Sequence, residues 1–596
     1  MKTVIVRRSR WCFLATATAL LLLFLAEGFW FISRKSQTVD EAIHVCAGYS
    51  YWSTGDFHLN YEHPPLTKLL AALPVYLWYR LPFAFPDRAE VSQRQLAHRF
   101  LYERAHTEPT ADEILGLARS CNLLLGACLV GLIGVWAYRL WGKTACLLGM
   151  GLAALEPNLI SNSALATTDL GVTLFIFLVA YLCWEYSNVP SYWALLAAGG
   201  ATGLALASKF SAVLLVGMLP IIVLGFVAFG GSFSLPATDK GQRGSTLMRI
   251  LKSLLVVSIV IYLGFLALWP VYFFQDPTQW WDGLIWQFKH GQRGHAAFFI
   301  GQYSDQGWAL YFLIAVLIKT PIGTLLLVAA SLCLYRQGSR LGRSEVFFLL
   351  VPIALLFLAM AQVKVNIGLR YILPVYPFLL VIAARAATIR FRQKWIAPVG
   401  ICCLIILSAL SVFRIAPHYL AYFNEAVGGP EQGPRYLSDS NIDWGQDLKE
   451  LKDFLRREGL SMIYLSYFGG VPPEYYGIRY QYLPGSGRLG EPKTDVLRDR
   501  SREIIVISVF NLQGVGFADK KTYDWLQRRP LMARIGYSIY AYDITNDAVA
   551  HLELAKIYLR HGPRQLAIAE FRRALELKPE CQEAIESLQS GACQEN

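Results

Sequence analysis

Charge is scarce in this chain. Only 16% of its 596 residues are Asp, Glu, Lys or Arg, against roughly a quarter in soluble domains, which excludes a protein that is soluble throughout. Cysteine spacing of the zinc or redox kind is missing. The eleven cysteines contain no CxxC pair, and most lie in apolar runs, where Cys acts as a small hydrophobe. Cys581 and Cys593 sit in a polar stretch and could pair in an oxidising compartment. Disorder and collagen-like repeats are excluded by 13% aromatic and 55% hydrophobic residues. Acidic residues are outnumbered, 43 to 55, for a net charge of +12. In a membrane protein that excess is explained by basic cytoplasmic loops, so no nucleic-acid partner is expected.

What the chain has is long apolar runs, the mark of a multi-span membrane protein. The first, Trp11–Ile32, follows Lys2, Arg7, Arg8 and Arg10. It resembles a signal peptide but is long enough to span and ends without an A-x-A-like cleavage site. It is read as an uncleaved helix with its N-terminus inside. Further candidate spans are Ile114–Leu140, Cys146–Ile160, Gly171–Tyr186, Trp193–Ala207, Ala212–Phe229, Ile250–Pro270, Trp308–Tyr335, Val346–Gln362, Tyr371–Ala387 and Trp395–Phe413, about eleven in all. The shorter stretch Leu66–Leu77 is expected to lie along the interface.

An odd number of spans places the C-terminal region outside. Inside loops then hold Arg139 and Lys143; Lys240, Arg243, Arg249 and Lys252; Arg336, Arg340 and Arg343; and Arg390, Arg392 and Lys394, as the positive-inside rule requires. Arg34 and Lys35 run against that rule. The domains expected are a membrane domain over 1–413 with outside loops 33–113 and 271–307, an outside α/β domain over 414–546, and a helical repeat over 547–596. A helical apolar pattern at Leu448, Leu451, Phe454 and Leu455 precedes strand-like runs at Met462–Tyr467, Glu503–Val509 and Ser538–Ile544. Leu554, Ala555, Tyr558, Gly562, Ala567, Phe571, Ala574 and Pro579 match one tetratricopeptide repeat of 34 residues, and a single repeat needs a neighbour to pack on.

Chemistry-bearing residues gather at the outside face. Asp40 and Glu41 follow the first span. Thr38 and Glu41 read as a helix capping box, which leaves Asp40 unexplained; two adjacent carboxylates suit general-base work. Asn60-Tyr61-Glu62-His63-Pro64-Pro65-Leu66 reads as a helix start, with Lys68 just beyond. Thr167-Thr168-Asp169 opens the fourth span, where Thr168 could serve as an N-cap; an ionisable group at the lip of a span is a functional candidate. Lys209, Lys319, Lys364 and Arg370 lie at the same face, with snorkelling as the plain explanation of each. His290, Arg293 and His295 join them in the second loop. Basic groups against the orientation bias suit an anion at the membrane surface, such as a lipid-linked phosphate.

These motifs resemble the GT-C glycosyltransferases that use polyprenyl-phosphate sugars, nearest the protein O-mannosyltransferase-like family and the aminoarabinose transferases of lipid A. The resemblance covers residues 5–415. It is carried by Asp40-Glu41, Glu62-His63-Pro64-Pro65-Leu66, Thr168-Asp169, Ser208-Lys209-Phe210, Gly294-His295, Lys319-Thr320-Pro321 and Arg370-Tyr371-Ile372-Leu373-Pro374, in that order. The stretches Tyr422–Pro430 and Asp439-Ser-Asn-Ile-Asp443-Trp-Gly-Gln-Asp447 resemble a tail in a bacterial branch of the family.

The resemblance implies a GT-C bundle of about eleven to thirteen helices, about eleven of them legible here, in a bacterial inner membrane, with its site on the periplasmic or lumenal side. It implies an inverting transfer from a polyprenyl-phosphate sugar, mannose favoured, to a hydroxyl acceptor, with Ser or Thr of a protein favoured over a lipid or polysaccharide. Asp40 corresponds to the family's base, with Glu41 and Asp169 supporting catalysis. Lys209 and Tyr371 correspond to contacts of the donor phosphate, with Arg370 and Arg293 as neighbours and Glu62, His63, His290 and His295 in the substrate region. His63 stands where the aminoarabinose branch has Lys, which counts against that donor. A divalent metal at Glu62 with His290 or His295 is compatible with that branch, but no cofactor is expected to be essential. Membrane lipids and a protein partner at the repeat complete the expected partners. A lipid-linked-sugar transporter would show repeated halves, and none are visible; a non-catalytic scaffold leaves Asp40, Asp169 and Lys209 without purpose.

Overall fold

The computed structural model describes residues 2–82, 92–104, 108–236, 245–276, 278–334, 336–486, 496–497 and 499–589, with side chains from Arg10 onward. Cys593, Lys240 and Arg243, and the side chains of Lys2, Arg7 and Arg8, lie outside them. The chain forms two compact units. The membrane unit comprises Met1–Ser33, Glu41–His295 and Asp305–Pro430. The tail unit comprises Arg34–Asp40, Ala296–Ser304 and Glu431–Asn596. The tail therefore begins later than the expected 414 and takes in two segments from the outside loops.

Among the described residues, each of the eleven apolar runs is largely helical and lies in the membrane unit. Among the described residues, seven helices are long and apolar enough to cross a membrane: Arg10–Arg34, Ala111–Trp141, Asp169–Asn188, Phe210–Ala228, Thr246–Val271, Arg343–Met360 and Ile396–Ile415. Two runs are broken, Lys143–Ala154 with Pro157–Ser163 (66°) and Tyr311–Lys319 with Ile322–Cys333 (110°), giving up to nine spans. Tyr192–Leu206 and Val375–Thr388 are shorter apolar helices, as is Leu66–Tyr79. The apolar window of Asp169–Asn188 is 72% buried and that of the first helix 17%, so the helix that begins with Asp169 is central and the first helix peripheral.

Both breaks have a chemical cause. Pro157 and Pro321 lack the N–H that would continue the preceding helix. The backbone groups released there are recovered by side chains. Asn158 Nδ2 donates to the Lys319 carbonyl (2.6 Å) and to Glu156 Oε1 (2.6 Å). Asn424 Nδ2 donates to Leu317 O (2.7 Å) and Thr320 O (2.9 Å). Lys319 does not snorkel: it is buried, and its Nζ donates to the carbonyls of Leu420 and Tyr422, both at 3.0 Å.

In the tail unit, β1 (Ala297–Phe299) and β2 (Gln302–Ser304) form an antiparallel hairpin. The main sheet holds β3 (Ile463–Ser466), β4 (Tyr480–Tyr482), β5 (Ile504–Ser508), β6 (Ala533–Ile535) and β7 (Ile539–Asp543), in the order β4-β3-β5-β7-β6. β3 runs parallel to β4 and β5, while β7 is antiparallel to β5 and β6. The helices Ala548–His561 and Arg564–Leu577 form the C-terminal hairpin. Leu554, Ala555, Tyr558, Ala567, Phe571 and Ala574 share one core with Tyr464, Ile505, Ile507 and Tyr542 of the sheet. Each large side chain buried there contributes about 1.5–3 kcal/mol, so hairpin and sheet fold as one body.

Arg34 and Lys35 now have an explanation. Arg34 Nε donates to Glu450 Oε1 (3.1 Å), its Nη2 lies 3.3 Å from Asp453 Oδ2, and Lys35 Nζ lies 2.5 Å from Asp447 Oδ1. They serve as ion-pair partners within the tail unit.

Candidate functional site

Asp169 is the first residue of its helix, where the helix dipole favours a carboxylate. Thr168 does not cap it: its backbone is helical and its side chain makes no capping bond. The preceding loop is held from the side instead. Arg119 donates through Nε to Glu41 Oε1 (2.8 Å) and through Nη2 to Glu41 Oε2 (2.6 Å). Glu41 Oε1 also accepts the N–H of Ala166 (2.9 Å), and the Ala166 carbonyl lies 3.2 Å from His44 Nδ1. Asn122 Nδ2 donates to the Leu165 carbonyl. The helix Glu41–Thr54 begins at Glu41 itself, so the expected Thr38–Glu41 capping box does not fit; Glu41 fixes the loop ahead of Asp169.

Asp169 in turn holds two cations. Lys209, extended between the helix Tyr192–Leu206 and the turn Phe210–Val213, donates from Nζ to Asp169 Oδ1 at 2.5 Å. Arg370 Nη1 lies 3.7 Å from Asp169 Oδ2. Between them stands the Tyr371 ring, with Lys209 Nζ 4.6 Å and Arg370 Cζ 5.4 Å from its centroid, both within cation–π range. Lys209 and Asp169 are buried, so neither snorkels. Lys209 and Arg370 are thus both set against one carboxylate, and cations fixed in this way are groups that bind phosphate through charge-assisted hydrogen bonds.

His63 lies beside this group. Lys68 Nζ shapes its loop by donating to Asn60 O (2.7 Å), Asn60 Oδ1 (3.2 Å), His63 O (2.6 Å) and Tyr51 Oη (2.9 Å). The His63 ring meets His44 edge-on at 5.5 Å, and its Nδ1 has no hydrogen-bond partner among the described residues. Burial, then the nearby His44, Lys209, Lys68 and Arg370, push the His63 pKa well below the usual histidine value. His63 is thus a neutral imidazole at neutral pH rather than a third cation. Glu62, half-buried, is near enough for its charge to act on Lys68.

The second loop contributes the helix Thr278–Arg293. Gly283 lets it lie close to the first loop: a Cβ there would stand 2.4 Å from the Tyr61 carbonyl. Trp286 packs edge-on against Tyr61 at 5.9 Å and stacks on His290 at 5.0 Å. Burial, then His295 and Arg293, lower the His290 pKa, so these three residues stand near one another. Among the described residues, no three His, Cys, Asp or Glu side chains gather as a metal ion would need.

Trp280 of the same helix packs on Phe210 at 5.6 Å, and its Nε1 donates to the Leu206 carbonyl at 3.1 Å. It also lines an open groove of about 300 Å³ with Tyr262, Phe265, Trp269 and Trp281. The groove is thus one aromatic contact from the residue that follows Lys209. Asp40 stands in the tail unit, covalently adjacent to Glu41 of the membrane unit.

Residues 18–270 match the family model of dolichyl-phosphate-mannose-protein mannosyltransferase. The resemblance read from the sequence holds over that stretch, which contains Asp40, Glu41, Glu62, His63, Asp169 and Lys209. It supports a glycosyltransferase supplied by a polyprenyl-phosphate sugar. Among solved structures the chain is similar to ArnT from Cupriavidus metallidurans. With undecaprenyl phosphate bound, identity is 15%, coverage 90% of this chain and 98% of that one, and the TM-score 0.45. In the apo state, identity is 15%, coverage 88% and 98%, and the TM-score 0.42. No curated protein matches the chain in sequence.

Arg119 escaped the sequence reading, and so did His44 and Asn122. The signal for Arg119 was present: an arginine inside an apolar helix marks a buried partner. Its partner Glu41 lies 78 residues away, which no local pattern reveals.

Proposed function

We propose that this protein transfers mannose from a polyprenyl-phosphate carrier to Ser or Thr hydroxyls of proteins at the outer membrane surface, with inversion at the anomeric carbon. The observation that carries the proposal is the placing of Lys209 and Arg370 on one buried carboxylate, Asp169, around the Tyr371 ring. As the glycosidic bond breaks, negative charge develops on the departing phosphate oxygen. Preorganised cations stabilise that charge without reorganising. Asp169 holds them in place, and Glu41 with Arg119 holds the loop before Asp169. Neutral His63 can offer a hydrogen bond to a phosphate oxygen. His290, Arg293 and His295 line the approach from the second loop. The prenyl chain lies in the aromatic groove at Trp280.

The acceptor hydroxyl must lose its proton as it attacks, and Asp40 takes it. The family match to mannosyltransferases supports mannose and a protein acceptor. The reaction needs no metal in this account. Purified protein in nanodiscs, given polyprenyl-phosphate [³H]mannose and an envelope extract, tests the proposal. Label in the protein fraction supports it. Label only in lipid or polysaccharide keeps the transferase and replaces the acceptor. A wild type that neither binds polyprenyl phosphate nor releases sugar contradicts the proposal.

A further inference from the structure

We infer that the tail unit is a positioning device for Asp40, and that Lys35 and Ser36 are the residues through which it acts. The inference rests on Asp40 being the base proposed above. The segment Arg34–Asp40 belongs to the tail unit, although the chain on both sides of it belongs to the membrane unit. It is fastened by backbone and side-chain hydrogen bonds to the motif Asp443-Trp-Gly-Gln-Asp447. Ser36 N donates to Gln446 O (2.9 Å), and Val39 N to Trp444 O (3.1 Å). Ser36 Oγ donates to Gly445 O (3.1 Å) and accepts from Leu448 N (3.1 Å). Lys35 Nζ is buried against Asp447 Oδ1 at 2.5 Å.

The anchor is itself built with care. Ser538 Oγ and Gln446 Nε2 aim Asp447 by donating to its Oδ2, at 2.6 and 3.3 Å. Gly536, at φ +60°, leaves it room: a Cβ there would lie 2.1 Å from the Asp447 Cγ. Asp443 ties the motif to the helical turn that follows β5, accepting from Phe510 N at 3.0 Å. A buried ion pair made across 412 residues of chain adds little net stability to a fold but fixes one register. Here the register fixed is that of the residues leading into Asp40. A base misplaced by about 1 Å can cost about 100-fold in rate, so such a fixture has a catalytic use. The tail also holds Ala296–Ser304, which directly follows His295: Ile300 N donates to Tyr436 O (2.9 Å) and Tyr303 Oη to Gln513 O (2.7 Å).

The test uses the full chain in nanodiscs with polyprenyl-phosphate mannose, comparing Lys35→Met, Ser36→Ala, Asp40→Asn and Arg573→Met. Arg573 braces the far side of the tail through Glu503 (2.8 Å). Ser36→Ala removes two hydrogen bonds without stranding a buried charge, so it keeps the test alive if Lys35→Met does not fold. The expected result is a kcat at least tenfold lower in Lys35→Met and Ser36→Ala, with donor KM within twofold. Arg573→Met, at an equal loss of thermal midpoint, keeps its kcat. Amide exchange at residues 36–40 reads the strap whatever the sugar: it accelerates in the first two variants and not in Arg573→Met. Wild-type kcat or unchanged exchange in both strap variants, with Asp40→Asn inactive, overturns the inference and leaves the base assignment standing. An equal kcat loss in Arg573→Met also overturns it, since folding of the tail alone would then explain the effect. Full activity in Asp40→Asn overturns the base assignment and the inference with it.

Discussion

Lys209 Nζ stands 2.5 Å from Asp169 Oδ1, with both side chains buried. Removing one member of such a pair strands the other charge, at about 3–5 kcal/mol. Asp169→Asn should therefore lower the thermal midpoint by several degrees. Lys209→Ala should weaken polyprenyl-phosphate binding by about 10–100-fold, the worth of one charge-assisted hydrogen bond of about 1.5–3 kcal/mol. Binding in nanodiscs checks it, and an unchanged Kd removes Lys209 from the donor site.

Arg119 and Glu41 form the second buried pair, and the loop before Asp169 depends on it through the Ala166 N–H. Arg119→Met should destabilise the protein by about 3–5 kcal/mol. The double variant Arg119→Met/Glu41→Leu should recover much of that, because neither charge is stranded. Thermal midpoints in detergent measure both. If the double variant is as unstable as the single one, packing rather than charge accounts for the loss.

His63 is held neutral by burial and its cationic neighbours. A histidine with a lowered pKa contributes stability that is lost as the pH falls below the free value of about 6.5. Between pH 6.5 and 8 the residue should not titrate. The pH profile of kcat/KM over that range should therefore have the same shape in His63→Gln as in wild type. A limb present only in wild type contradicts the neutral assignment.

The tail carries the opposite case. Burial disfavours charge on His551, but hydrogen bonds to Glu503 and Glu570 outweigh it and raise its pKa; Nδ1 lies 2.6 Å from Glu570 Oε2. Its contribution is full below the free value and lost as the pH rises through the raised one. Burial also opposes charge on Glu503, yet His551 and Arg573 lower its pKa. That contribution is lost in acid, as the pH falls through the lowered value. The tail's thermal midpoint should decline on both sides of neutrality, and His551→Gln should remove the alkaline decline and weaken the acid one, since His551 also helps to lower the Glu503 pKa.

The apolar runs were legible because membrane length and hydropathy constrain them directly. Their geometry was less so. Cys146–Ile160 and Trp308–Tyr335 each contain a proline that breaks the helix. Lys209 and Arg370 stood out in the sequence as basic groups against the orientation bias, Asp169 as an ionisable group at the lip of a span, and Tyr371 only through the family resemblance. β4 and β6, three residues each, are too short to show alternation. The strap was invisible for another reason: Arg34 meets Glu450 across 416 residues, and pairing at that distance leaves only a misplaced charge as its trace.

The most direct measurement is transfer of [³H]mannose from its polyprenyl phosphate into envelope protein, by wild type, Lys209→Ala and Asp40→Asn side by side. The account predicts label in protein with wild type, transfer restored to Lys209→Ala only at raised donor concentration, and none with Asp40→Asn at any concentration. Equal transfer by all three would contradict it.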